Sequence, residues 1–445
     1  MTSSGLHIPF LVPEIVYRPT DFTTKTIYQP IRQPNNPPDN IQNMLQDNVR
    51  TSTYRSSILL NGPKSFQDKL VMDVGAGSGI LSYFAVQAGA KKVYAVEASG
   101  MAKKMKKLVS AANEGKNAFL KDKIEVINDL PIPKVDTIIS EPIGVLLFHE
   151  RMLESYIYAR DNYLKPGGAL YPSKGNIFLA PFTDATLWSE TMGKARFWEQ
   201  PSFYGIDLTS LYKDARDEMF GMPVVGHFDP RNLITTPSAF DAYPVDFSTV
   251  TVKALQDITI PFSWTAQYTG LMHGVAGWFD LVFAPPPYDK PNPEDLGTTV
   301  EMSTSPSAER THWQQVRFLL KEPLAVNANQ KIRGWMRCIV NDMRSYTIYI
   351  EVTATDGQEL SDPVNADKDE KFAEPCDDRP SVRRGIWELH EQTYNYNYTP
   401  GMMPDYKPEY SCLYEPETRL DNSIYSQTLD LEAMNVMDDY EDFVN

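Results

Sequence analysis

Between positions 69 and 163 short apolar runs alternate with stretches whose apolar positions recur at helical spacing. Leu70–Val74 reads as a buried strand, 80–88 as a helix, 92–97 as a strand and 101–112 as a helix. Two further strands follow at 123–127 and 135–140, then a helix over 152–162. Lys165-Pro-Gly-Gly168 reads as a turn. This alternation predicts a parallel sheet with helices on both faces, a Rossmann-like α/β arrangement. Upstream, Pro30, Pro34, Pro37 and Pro38 oppose a long helix and predict an irregular arm, and a helix-compatible pattern begins near 41. Downstream of Tyr171 the period shortens to two. Strands are predicted at 176–180, 250–255, 258–262, 278–283, 315–320, 334–340 and 346–352, which reads as a β-barrel domain. A more helical, aromatic stretch at about 184–222 interrupts it. From 366 the periodicity vanishes and Tyr, Pro, Asn and acids dominate, which predicts a mostly disordered tail. The boundaries are therefore placed at 1–40, 41–170, 171–365 and 366–445.

Charge sharpens this division. The 445-residue chain carries a net charge of -16, and positions 366–445 hold 19 Asp/Glu against 7 Lys/Arg. The part predicted to fold is thus near neutral. Direct binding to nucleic-acid phosphate is not expected, and basic partners are. The three cysteines lack metal-ligand spacing, so no metal site is expected. The apolar stretch at 8–13 is short and broken by prolines, and neither a signal peptide nor a membrane span is expected.

Two places carry chemistry. The first is Asp73-Val-Gly-Ala-Gly-Ser-Gly79, a glycine turn between a strand and a helix, where backbone can approach a ligand closely. Glu97 closes the next strand, and an acid there suits the two hydroxyls of a ribose. Together they favour a ribose-bearing cofactor. The spacing G-x-G-x-G leans toward S-adenosylmethionine over a dinucleotide, without deciding between them. The second place follows the strand at 135–140. Glu141 opens a loop that starts with Pro142 and Gly144, and Glu150 closes it. Ordinary loop charges are one reading. In the other, a hairpin brings the carboxylates together, where they would repel unless a cation sat between them. A guanidinium offers a planar fork of donors to such a pair. The grip would localise positive charge on one side and leave electron density on the other nitrogen. Glu154, on the following helix, reads as a plain helix carboxylate.

At these residues the chain resembles the type I protein arginine methyltransferase family, and most of all its coactivator-associated branch. The likeness runs from about 41 to 352. It rests on Val49-Arg-Thr-Ser-Thr-Tyr54, Val71-Met-Asp-Val-Gly-Ala-Gly-Ser-Gly-Ile-Leu81, Tyr94-Ala-Val-Glu-Ala-Ser99, Ser140-Glu-Pro-Ile-Gly144, Glu150-Arg-Met-Leu-Glu-Ser155 and Thr311-His-Trp313. Ala180-Pro-Phe-Thr-Asp184 and Gln200-Pro-Ser-Phe203 point to the branch. The resemblance implies S-adenosyl-L-methionine as cofactor, with Arg50 on its carboxylate and Gly75 and Gly77 beneath its methionine part. It places Glu97 on the ribose, and Ser155 and Met44 as further contacts; the family's acidic segment at the adenine is shortened here to Asn128-Asp129, where Asp129 is the candidate substitute acceptor for the adenine amine. It implies Glu141 and Glu150 as the clamp on the substrate arginine, and His312 with Asp47 as the proton acceptor. Tyr54 and Trp313 would pack around the acceptor. It also implies arginine-rich substrates such as histones, asymmetric dimethylarginine as product, and transcription coactivator complexes as partners. A homodimer formed through the 184–222 arm and residence in nucleus and cytoplasm follow from the same likeness. Pro34-Asn-Asn-Pro-Pro-Asp39 stands where the family carries an aromatic helix, Val145 where it has tyrosine, and His149 replaces the usual residue before the second glutamate. The alternative to an active enzyme is a catalytically impaired scaffold of the same family.

Overall fold

The computed structural model describes residues 44–111, 115–127, 132–236, 241–287, 297–374 and 379–395. The arm at 1–40, Asp129 and the tail beyond 395 lie outside the described residues.

Helix α1 (Asn48–Leu60) starts where Asp47 accepts the Arg50 N–H, the side-chain cap that a helix start favours. The α/β layer follows: β1 (Leu70–Val74), α2 (Ile80–Gln87), β2 (Lys92–Val96), α3 (Met101–Ser110), β3 (Ile124–Ile127), β4 (Val135–Ser140), α4 (Met152–Tyr163) and β5 (Leu164–Tyr171). The five strands pair in the order β3-β2-β1-β4-β5, all parallel. Every residue of β1 after Leu70 is buried, as expected of a central strand covered on both faces. The order reverses beside β1, so ligands are expected beyond the C-terminal ends of β1 and β4. The turn expected at 165–168 instead lies inside β5. Gly167 takes a positive φ of 73° there, and the pairing with β4 slips between Val135 and Thr137, so the Pro-Gly-Gly becomes an irregular strand start.

The second layer is antiparallel. It contains β6 (Lys174–Phe182), β7 (Val224–Val225), β8 (Tyr243–Asp246), β9 (Asp257–Thr265), β10 (Gly270–Phe283), β11 (Val300–Ser303), β12 (Val316–Val326), β13 (Lys331–Val340), β14 (Tyr346–Thr353), β15 (Val382–Glu388) and β16 (Thr393–Tyr394). A seven-stranded sheet runs β16-β7-β12-β10-β6-β8, with β11 on β10, and a four-stranded sheet runs β15-β14-β13-β9. Among the described residues the two sheets do not hydrogen-bond into one cylinder, so the expected barrel is built as two sheets. They share an apolar cluster: Ile258, Ile260, Phe262 and Trp264 alternate inward from β9 against Val275, Phe318 and Trp387. Helices α5 (Ala185–Arg196) and α6 (Tyr212–Gly221) form the excursion between β6 and β7, with Asp184 capping α5.

Two expectations are corrected here. The strand at 250–255 is a helical turn, Val252–Gln256, because Thr251 accepts the Ala254 N–H and caps it. The tail does not begin at 366. Strand β15 completes the four-stranded sheet on β14, and β16 lies parallel to β7. Charge pairing rather than apolar periodicity fixes this stretch, so the sequence pattern hides it. Fully buried Glu351 accepts from Arg379, Arg384 and Ser361, while Arg337 grips Asp257 and Asp367.

Candidate active site

Beyond β1, glycines 75, 77 and 79 all have positive φ, which a side chain would resist. Glu97 shapes this loop. Its Oε2 accepts the Gly77 N–H at 2.8 Å and its Oε1 the Ser99 N–H at 2.7 Å. Each oxygen keeps lone pairs for a diol. Asp73, the penultimate residue of β1, has no role in the sequence reading beyond the motif. It is buried, and its Oδ2 accepts from Ser82 at 2.6 Å. Its Oδ1 is buried with no partner among the described residues. Burial, with the charge of Glu97, pushes this carboxyl up to about 7 despite the Ser82 bond. The only sequence signal for it is a charged residue inside an apolar strand.

Arg50 points from α1 to the same place. Its Nη2 donates to Glu141 Oε2 at 2.7 Å, with both side chains more than nine-tenths buried. Burial works against its charge, but Glu141 outweighs that and raises the guanidinium's pKa. Its Nε is buried without a partner among the described residues. Met44 contributes its carbonyl, 3.5 Å from Arg50 Nη1. An acid and a base, each with one orphaned polar atom, thus flank the glycine turn.

The loop from Glu141 to Glu150 is a strained hairpin. Leu146, Leu147, Glu150 and Arg151 all adopt positive φ, at 54°, 73°, 71° and 55°. Such conformations cost about 1–3 kcal/mol each and persist only where the surroundings over-determine them. Here Leu146, Leu147 and Phe148 are buried in the core, and Trp313 Nε1 donates to the Ile143 carbonyl at 3.2 Å. Gly144 and Leu147 exchange backbone bonds, and a Cβ on Gly144 would run into the His149 carbonyl. The two carboxylates are close enough to interact. Burial, then the charge of Glu141, raises the Glu150 carboxyl, and Arg344 draws it partly back. Among the described residues the Glu150 carboxylate has no hydrogen-bond partner. Glu154 is held bidentately by Arg151 at 2.7 and 3.0 Å, which suits its plain reading.

Asp47 joins the layers. While Oδ1 caps α1, Oδ2 accepts both the N–H and Nδ1 of His312 at 2.7 Å. Burial opposes ionisation, but the bonds from His312 and Arg50 outweigh it and hold Asp47 below the usual range. His312 Nε2 is left for other chemistry. Tyr54 is fully buried edge-on to Phe283, and Trp313 is buried against Phe279 while pinning the loop. Ser155 is half-buried on α4. Among the described residues no group of three or more His, Cys, Asp or Glu could hold a metal, and no helix is long and apolar enough to cross a membrane.

Residues 173–356 match the family model described as the arginine methyltransferase oligomerization subdomain, and 59–168 match that of ribosomal protein L11 methyltransferase. A probable histone-arginine methyltransferase 1.4 of Arabidopsis thaliana is 44% identical over 320 residues, 70% of this chain and 57% of the relative. The histone-arginine methyltransferase CARMER of Drosophila yakuba is 46% identical over 312 residues, 70% of this chain and 56% of the relative. The chain belongs to the protein arginine methyltransferase family. It spans little more than half the length of those curated relatives. Among solved structures it resembles the Trypanosoma brucei PRMT1 enzyme-prozyme heterotetrameric complex with AdoHcy, with a TM-score of 0.60 and 29% identity over 72% of this chain and 95% of that one. The family model's match ends at 356, so β15 and β16 lie beyond it.

Proposed function

We propose that the chain is an S-adenosylmethionine-dependent protein arginine N-methyltransferase. The observation that carries this is the pair Glu141 and Glu150, partly buried on a strained loop at the end of β4 and close enough for the charge of Glu141 to raise the Glu150 carboxyl. A guanidinium between them relieves that repulsion and supplies the missing donors.

The cofactor fits the residues present. The orphaned Arg50 Nε suits its carboxylate, the orphaned Asp73 Oδ1 its ammonium, and Glu97 the ribose hydroxyls. Gly75 and Gly77 let it approach, with Met44 and Ser155 beside it. When bound, the cofactor supplies a methyl group already activated on a sulfonium. The chain's own residues do the rest. Arg50 holds the Glu141 carboxylate in place, and Glu141 with Glu150 orients the substrate guanidinium and draws its charge to one side. His312, fixed through Nδ1 by Asp47, accepts the released proton at Nε2. Positioning and electrostatics are the main sources of rate.

The same reading assigns 41–171 to cofactor binding and 174–395 to the substrate side, with α5 and α6 as the arm of a homodimer. Tyr204 is 92% and Ile206 63% exposed on that arm. The names of the relatives support histone arginines as substrates and a nuclear role. The reading adds a cytoplasmic pool and transcription coactivator complexes as partners, without direct contact to nucleic acid. The product proposed is asymmetric dimethylarginine. The test is methyl transfer from labelled cofactor onto histones, with mass spectrometry of the product, for wild type and E150Q. Wild type should transfer and E150Q should lose transfer at least about a hundredfold while binding cofactor in calorimetric titration. Undiminished transfer by E150Q would sink the proposal, and cofactor binding without transfer by wild type would leave the scaffold reading.

A further inference from the structure

The residue before Glu150 is a histidine that the proposed chemistry does not use. His149 Nδ1 lies 2.9 Å from the hydroxyl of Ser345, on the turn between β13 and β14. Ser345 is fully buried. It is itself held: its N–H donates to Asn341 Oδ1 at 3.1 Å, and the Asn341 N–H to its carbonyl at 3.0 Å. Asn341 Nδ2 in turn donates to Glu388 on β15 at 3.1 Å, and Leu389 N–H donates to the Tyr346 carbonyl. A polar chain thus runs from the clamp loop through the β13–β14 turn to the strand beyond the family model's match. Phe148 and Tyr346 pack beside it, their rings tilted and their centroids 5.8 Å apart. On the loop side, the His149 carbonyl forms the neck against Gly144, and the next residue, Glu150, sits at φ 71°.

We propose that His149 is a positioning residue, whose bond to Ser345 holds the strained 149–150 backbone and so sets the Glu150 carboxylate. A strained backbone stays put only when something outside it removes the alternatives. Apolar packing does this for Leu146, Leu147 and Phe148. At the end of the loop the side chains are partly exposed, and the Ser345 bond supplies the constraint. Burial, with the charge of His390, lowers His149 to about 4, so the ring is neutral near pH 7 and makes this bond uncharged. The role rests on Glu150 being the substrate clamp.

Stereochemistry gives the test its edge. The amide of asparagine reaches where Nδ1 lies, and the amide of glutamine reaches where Nε2 lies. Hydrogen exchange is to be followed at Leu147, His149 and Arg151, whose amides bond Gly144, Val145 and Phe148. H149A and S345A should each speed that exchange at least about fivefold. H149N should stay near wild type, H149Q should behave as H149A, and the double alanine variant should add nothing. In transfer assays kcat should fall about tenfold or more in both alanine variants, with cofactor affinity unchanged and H149N restoring kcat. S345A removes one hydroxyl and keeps the fold testable. Unchanged exchange in both alanine variants, failure of asparagine to restore it, or additivity in the double variant would overturn the proposal. A wild-type chain that transfers no methyl would sink the functional reading alone, since the exchange comparison still decides the latch.

Discussion

Burial raises the Asp73 carboxyl at the site, and its stability effect has a definite sign. Its folded pKa of about 7 lies above the ordinary value of 3.8, so the fold favours the neutral acid. That contribution is complete below about pH 4 and is lost as pH rises through 7. D73N, neutral at every pH, should therefore match wild type near pH 4 and be more stable by roughly 2–4 kcal/mol at pH 8, read from denaturant midpoints. Equal midpoints at pH 8 would refute the buried, unpaired state. The same variant should bind cofactor more weakly, because a neutral amide no longer balances an ammonium. Glu150 gives a second sign. It must be ionised to grip a cation, and its pKa is raised, so kcat/KM should climb with pH through a midpoint above the usual glutamate range. R344A removes a nearby positive charge and should push that midpoint higher. A midpoint that moves down, or not at all, would contradict the placement of Arg344.

At the scale of elements, the clamp depends on a hairpin that no periodicity describes. G144A places a methyl against the His149 carbonyl, and backbone cannot yield as a side chain can. The neck should open, with a stability loss of about 1–3 kcal/mol and a far larger loss of transfer. A variant that melts lower yet transfers normally would show that the neck does not set the clamp. Much of this level is legible in the sequence. The glycine turn, Glu97, and the strands and helices of the α/β layer follow from apolar runs and their punctuation. Glu141 and Glu150 are legible as a pair because a loop of that length can fold back. What stays hidden is whom each side chain faces. That Arg50 ties down Glu141, that Trp313 pins Ile143 and that Asp47 serves two layers at once are contacts between residues far apart in the chain. The 250–255 segment went to helix because one threonine cap decides a short segment of mixed propensity.

At the scale of the whole molecule, two surfaces make separable claims. The arm exposes Tyr204 and Ile206 beside the aromatic contacts of Phe197, Trp198 and Phe203. Y204E with I206E should convert a dimer to a monomer in sedimentation without lowering the melting temperature, and a dimer that persists would discard the arm as its seat. The other surface is the C-terminal edge of the four-stranded sheet. Composition marks everything past 366 as tail, yet Glu351 is fully buried and its charge is met by Arg379 and Arg384. A chain ending at 356 leaves that carboxylate buried without them, and removing one side of such a pair costs about 3–5 kcal/mol. It also bares β14 as an unpaired edge and takes Trp387 out of the shared core. For a domain stable by about 5–15 kcal/mol these losses approach the whole. The 1–356 chain should therefore aggregate or unfold without a cooperative transition in calorimetry. The 1–395 chain, which keeps β15, β16 and the Asn341–Glu388 bond, should melt close to the full chain and hold the clamp loop equally protected from exchange. A cooperative, soluble 1–356 chain would mean that β15 is carried by the sheet and contributes little to it. The polar chain behind His149 would then end at Asn341.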